Sequence, residues 1–176
     1  MSTDDEAVFR DALQGLRRGD FSRLEPLFVE KPGGGRPAIV EWCEQGRFDH
    51  EPEALAEALS CASFNGRTAA AEYLLKRGVN PSGGAGTGMN ALHWAVNRGQ
   101  LEAVRLLLRH KAPLETRSSY DGTVLGTAVW SAAHEPRPAH AQIVKELLEA
   151  GAKVTDAEYP SGVADIDALL RHYGAS

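Results

Sequence analysis

The sequence predicts an all-α solenoid of stacked antiparallel helix pairs with projecting loops or short β-hairpins. Three observations predict it. The stretch ALSCASFNGRTAAAEYLLKRGVNP, Ala58 to Pro81, aligns without a gap on ALHWAVNRGQLEAVRLLLRHKAPL, Ala91 to Leu114, at a shift of 33 residues. Leu59 falls on Leu92, Ala62 on Ala95, Gly66 on Gly99 and Leu74-Leu75 on Leu107-Leu108, and a further 33 residues brings Leu125, Ala128 and Val129 into the same places. Within a unit, Leu92, Ala95, Val96 and Gly99 fall on one helical face, and Val104, Leu107 and Leu108 form the face of a second helix. Finally, one such pair cannot bury its apolar face alone, so a repeat of this length is stable only when stacked.

The elements follow in order along one domain, residues 1–176. Thr3 and Glu6 have capping-box spacing before a helix running from Ala7 to Arg18. FSRLEPLFVE and IVEWCEQGRFD, split by the breaker KPGGGRP, read as a degenerate first pair. The alternative pairs Asp4–Arg18 with Phe21–Glu30 and leaves Arg36–Gln45 over. In either case residues 1–52 form an irregular N-terminal cap. Repeats follow at 53–89, 90–122 and 123–161, and 162–176 hold a cap helix whose apolar face is Val163, Ile166, Leu169 and Leu170. Ala62, Ala95 and Ala128 are small where neighbouring first helices must approach. Gly66 and Gly99 suit the left-handed position that reverses the chain. In the third unit the second helix, Ile143 to Val154, matches at a shift of 40, so seven residues have been inserted; they are visible as HEPRPAH and read as a surface loop. The stretches GVNPSGGAGTGMN and KAPLETRSSYDGT are long enough for a turn or a hairpin, not for a helix.

Composition narrows the function. Hydrophobic residues make up 43% and charged residues 24%, ordinary values for a folded chain, and the net charge of −5 lacks the basic face a nucleic-acid binder needs. The pairs Arg17-Arg18 and Lys76-Arg77 read as solvated helix ends. Two cysteines, Cys43 and Cys61, sit inside helical patterns as small apolar side chains. The start MSTDDEAVF has no secretory pattern, and no apolar stretch approaches the roughly 20 residues that span a bilayer. The expectation is a soluble, cytoplasmic monomer that binds neither nucleic acid nor membrane.

Three places in the sequence bear on chemistry. GGAGTG, Gly83 to Gly88, lacks the preceding strand of a dinucleotide fingerprint and the following Lys of a P-loop, so it reads as a loop tip. His134 and His140 are six residues apart with Pro136 and Pro138 between them, which rules out two zinc ligands four apart on one helix. His93 has no Ser, Cys and Asp constellation converging on it. The sequence therefore predicts no catalysis and no cofactor or metal.

The 33-residue unit resembles the ankyrin repeat. Asn90-Ala91-Leu92-His93 and Thr123-Val124-Leu125-Gly126 are similar to that family's Thr-Pro-Leu-His start, and Gly78-Val79-Asn80 and Gly151-Ala152 to its exit. The likeness runs from about Glu53 to Val154. One unit keeps the histidine, none keeps the proline, and Lys111 replaces an exit glycine. The resemblance implies that His93 is structural, bonding near the base of a loop. It also implies that first helices and fingers line a concave binding face. The positions before each turn are then Phe64-Asn65, Asn97-Arg98 and Trp130-Ser131; the finger positions are Thr87, Met89, Arg117, Ser119, Tyr120 and Tyr159. The partner-binding candidates are Phe64, Met89, Asn97, Arg98, Arg117, Tyr120, Trp130 and Ser131, a set rich in hot-spot residue types. Against this, Trp130 could cover the insertion and Phe64 could pack under the N-terminal helices; Trp94 reads as core. The expected function is a non-catalytic scaffold for an unidentified protein partner. The alternatives are a dedicated inhibitor or immunity-type partner, a small-ligand binder or an enzyme.

Overall fold

A computed structural model describes residues 3–84 and 86–176, apart from the side chain of Thr3, so the expected Thr3 cap lies outside the described residues. In chain order the helices are α1 (Thr3–Arg18), α2 (Phe21–Leu24), α3 (Ala38–Glu44), α4 (Pro52–Phe64), α5 (Thr68–Lys76), α6 (Ala91–Asn97), α7 (Leu101–Arg109), α8 (Val124–His134), α9 (His140–Glu149) and α10 (Ala164–His172). α2 runs into a 3-10 turn, Glu25–Phe28, and a second 3-10 turn, Val154–Asp156, follows α9.

The helices stand in two rows. First helices α4, α6 and α8 pack in succession; α5, α7 and α9 form the outer row, with α3 packed against α5 and α10 closing on α9. Ala62, Ala95 and Ala128 are fully buried where first helices meet, because a methyl group is all that fits between close-packed backbones. Leu74, Val104, Leu106, Leu107, Ile143 and Leu147 supply the bulk of the seam between the rows. At the N-terminus both α1 and α2 pack on α4. Phe9 of α1 meets Trp42 and Phe48 edge-on at 5.2 Å, and the Arg47 guanidinium lies 4.1 Å from the Phe9 ring centre.

Asn90 and Thr123 cap α6 and α8 through side chains that accept from His93 N and Gly126 N. Gly66 (φ 65°) and Gly99 (φ 66°) make the expected left-handed turns, and each has a second reason to lack a side chain. A Cβ on Gly66 would sit 2.5 Å from Gln100 Oε1, and one on Gly99 would sit 3.0 Å from the Arg137 side chain. The space is taken by the next unit. Gln100 Nε2 donates to the Phe64 carbonyl at 3.1 Å; at the equivalent places Arg67 pairs with Glu25, and His140 Nε2 donates to the Val96 carbonyl at 3.0 Å. Each second helix thus fastens itself to the end of the preceding first helix.

Of the two forms expected for the fingers, loops or short hairpins, the structure has loops: among the described residues there is no strand, and the one isolated bridge joins Lys31 and Gly35. Pro and Gly interrupt both stretches, so neither holds the alternating extended run a ladder needs. The second finger is instead closed by Ser118 N donating to Gly122 O and tied to the first by Ser119 N donating to Gly88 O, at 2.9 and 2.8 Å. One expectation needs correction: the HEPRPAH insertion is not simply a surface loop. Ala132 stands where Gly99 would repeat, so nothing reverses the chain there and α8 continues to His134 before the prolines end it. His140 is only 2% exposed. Its Nδ1 accepts from Arg137 N at 3.1 Å while Nε2 reaches Val96, so burial holds its pKa below the ordinary value and the ring stays neutral.

Candidate functional site

Each finger is held against the first helix of the unit before it: the first on α4, the second on α6 and the third on α8. His93, fully buried on the first turn of α6, sets its Nε2 3.1 Å from the Gly122 carbonyl at the base of the second finger, with Nδ1 2.8 Å from Asn90 Oδ1. Burial lowers its pKa, outweighing the carbonyls that favour the charged ring. Through these two contacts the buried ring pins the base of the loop. The first finger does not project as the expected loop tip: Gly83 and Gly84 lie on α4, where a Cβ on Gly84 would sit 2.7 Å from the Ala56 carbonyl. Thr87 anchors it, donating to Glu57 Oε2 at 3.4 Å and accepting from Trp94 Nε1 at 3.3 Å. Glu57, 4% exposed, is pushed up to about 7 by burial, against the opposing pull of the Gly86 and Thr87 amides.

Between the second and third fingers lies a cavity of about 540 Å³. Asn97 of α6 and Thr127 and Trp130 of α8 form its helical wall, Ser118 and Tyr120 its finger wall, and Asp156 and Glu158 the opposite side, with Met89 beneath. Asn97 is fixed by donating to Ser131 Oγ at 3.0 Å. His134 stacks on Trp130 with ring centres 4.6 Å apart and planes 14° apart, and its Nδ1 lies 2.9 Å from the Trp130 carbonyl. Gly126 lets the third finger approach: a Cβ there would sit 2.9 Å from the Asp156 carbonyl. The cavity rim carries the two most exposed large apolar side chains that are aromatic, Tyr120 at 78% and Trp130 at 44%.

Comparison with known families gives one match. Residues 59–158, more than half of the chain, fit the family described as ankyrin repeats (3 copies). The chain belongs to the ankyrin-repeat family. No curated protein matches it. Ankyrin repeats are protein-interaction modules and typically not enzymes. Among the described residues, no three His, Cys, Asp or Glu gather as a metal-holding group, and no helix is long and apolar enough to cross a membrane.

Of the eight candidate contact residues, this ankyrin stack brings Met89, Asn97, Tyr120 and Trp130 around the one cavity. The other four lie elsewhere. Ser131 is fully buried and holds Asn97, so it supports the wall instead of facing outward. Met89 is itself 8% exposed and lies on the floor. Phe64 joins Phe21 and Trp94 in a cluster of edge-on rings 5.4 to 5.7 Å apart, beneath the N-terminal helices, and Arg98 lies over it at 4.6 Å. Trp94, expected in the core, is half-buried in that cluster with its N–H on Thr87. Arg117 is tied to Asp156 at 2.7 Å and to Asp121. Trp130 both touches the insertion, through His134, and lines the cavity. Reasoning along the chain missed Asp156, Glu158 and Thr127. The one signal available was Gly126, a glycine standing where the repeat motif has histidine. Cys43 and Cys61 are buried free thiols; burial pushes Cys43 up to about 11 and Cys61 further up.

Proposed function

We propose that the chain is a non-catalytic scaffold that takes a protein partner on the concave side of the stack, centred on the cavity between the second and third fingers. One observation carries this reading: Tyr120 and Trp130, the most exposed rings, border the same cavity. Exposed aromatic surface beside a partly enclosed, rigidly walled pocket is where binding energy concentrates in protein interfaces. Asn97, Ser131 and His134 hold the wall in place before any partner arrives, which lowers the ordering cost of association. The test is quantitative capture of binding partners from the native host by wild type, Trp130→Ala and Arg109→Ala. Trp130→Ala is expected to weaken capture more than about tenfold while changing stability by less than about 1 kcal/mol. Arg109, exposed on α7, is the control and should do neither. If Trp130→Ala unfolds the protein, or captures every partner as wild type does, the cavity is not the binding centre.

A further inference from the structure

We propose that the cavity between the second and third fingers receives an arginine side chain from an extended segment of the protein partner. The inference rests on the concave-face reading above and adds the chemistry of what enters. Two carboxylates, Asp156 and Glu158, line the cavity, and no Lys, Arg or His does so among the described residues. The two carboxylates differ in what they already hold. Asp156 Oδ1 is engaged by Arg117 at 2.7 Å, which fixes that side chain. Glu158 is exposed and has no hydrogen-bond or ion-pair partner among the described residues. Arg98, next to Asn97, is turned away over the Phe64 ring, so no cation of the chain itself fills the gap.

The aromatic side of the cavity fits the same ligand. His134 covers one face of the Trp130 indole, holding the ring while the rest of its surface lines the cavity opposite Tyr120. A flat guanidinium stacks on an indole and presents a fork of N–H donors in its own plane, so one group meets the ring and the carboxylate together. A lysine ammonium is a point charge, more strongly hydrated, and gains less from the flat wall. An anionic group would face the unpaired Glu158 carboxylate, since Arg117 is already taken up by Asp156. The net charge of −5 draws a basic segment towards the chain as a whole.

The experiment follows the indole N–H signals of the full chain by two-dimensional nitrogen–proton NMR. The probe is a capped pentapeptide of serine and glycine around a central arginine, compared with the same peptide carrying citrulline or lysine. Citrulline keeps the shape of arginine and removes the charge. Trp130→Ala assigns the reporter signal, and the signals of Trp42, 4% exposed, and Trp94 are internal controls. The arginine peptide is expected to shift the Trp130 signal saturably and to leave Trp42 in place. The lysine peptide should bind more weakly, and Glu158→Gln should weaken the arginine peptide about threefold. An equal response to citrulline, an unchanged affinity in Glu158→Gln, or no shift of Trp130 overturns the inference. If the peptide fails while Trp130→Ala still destroys partner capture, only the arginine inference falls. If the peptide binds while Trp130→Ala leaves capture intact, the cavity takes arginine but the partner docks elsewhere.

Discussion

His140 offers the sharpest test of how the third unit is held. Replacing it with alanine removes the Nε2 donor to the Val96 carbonyl at 3.0 Å and the Nδ1 acceptor of Arg137 N at 3.1 Å. Val96 O keeps a second partner in Gly99 N at 3.2 Å, while the half-buried Arg137 N–H loses its acceptor, and each bond is worth about 1 kcal/mol. The emptied volume, buried to 2% exposure, adds about 1–2 kcal/mol. His140→Ala should therefore destabilise by about 3–4 kcal/mol. His140→Gln copies Gln100, which makes the same backward bond one unit earlier, and should recover all but about 1 kcal/mol. Urea unfolding followed by far-ultraviolet circular dichroism measures both. If alanine costs less than about 0.5 kcal/mol, or glutamine is as damaging as alanine, then the imidazole is merely a filler.

Two further predictions rest on the backbone and on titration. Lys111 sits at φ 57° where Gly78 and Gly151 have φ 86° and 101°, so Lys111→Gly should raise stability by about 0.5–1 kcal/mol in the same urea assay, and a loss would show that the strain is not there. Acidification should destabilise the fold: His93 and His140 have pKa values lowered by burial, so the unfolded chain takes up protons that the native state refuses as pH falls below about 6.5, at up to about 1.4 kcal/mol per unit for each. Glu57, raised to about 7, works in the opposite sense, since between its unfolded value and 7 the native state holds a proton the unfolded chain lacks. Melting temperature against pH should accordingly fall below pH 6.5 less steeply in His140→Gln and more steeply in Glu57→Gln; parallel curves for all three would refute the assignment.

The sequence makes the stacked units legible because their packing is periodic. Ala62, Ala95 and Ala128 repeat for a steric reason, and repetition is what alignment detects. What escaped is aperiodic. The rings of Phe21, Phe64 and Trp94 come from α2, α4 and α6 and meet only in space, so the packing of Phe64 under the N-terminal helices stood in the sequence only as an alternative to contact with a partner. The extension of α8 depends on the single substitution of Ala132 for a turn glycine, easily passed over beside the more visible prolines. The carboxylates of the cavity lie after α9, in a finger with no regular spacing to the aromatic residues they face. Periodicity named Asn97, Trp130 and Met89; the carboxylate side came from folding.

The fasteners at Arg67, Gln100 and His140 all point one way, from a second helix to the end of the first helix before it. The stack therefore has a polarity that its near-symmetrical helix rows conceal. For these contacts, a unit leaving the ribosome finds its acceptor already made. Cuts at the two ends are then unequal: ending the chain after Gly122 leaves the fasteners of the remaining units intact, whereas starting it at Asn90 strands Gln100 without Phe64. Urea melts of the two fragments should be sharp for the first and broad for the second, and equal breadth would show that the hooks carry no direction. Assembly from the N-terminus is thus written into the chain as a row of one-way latches.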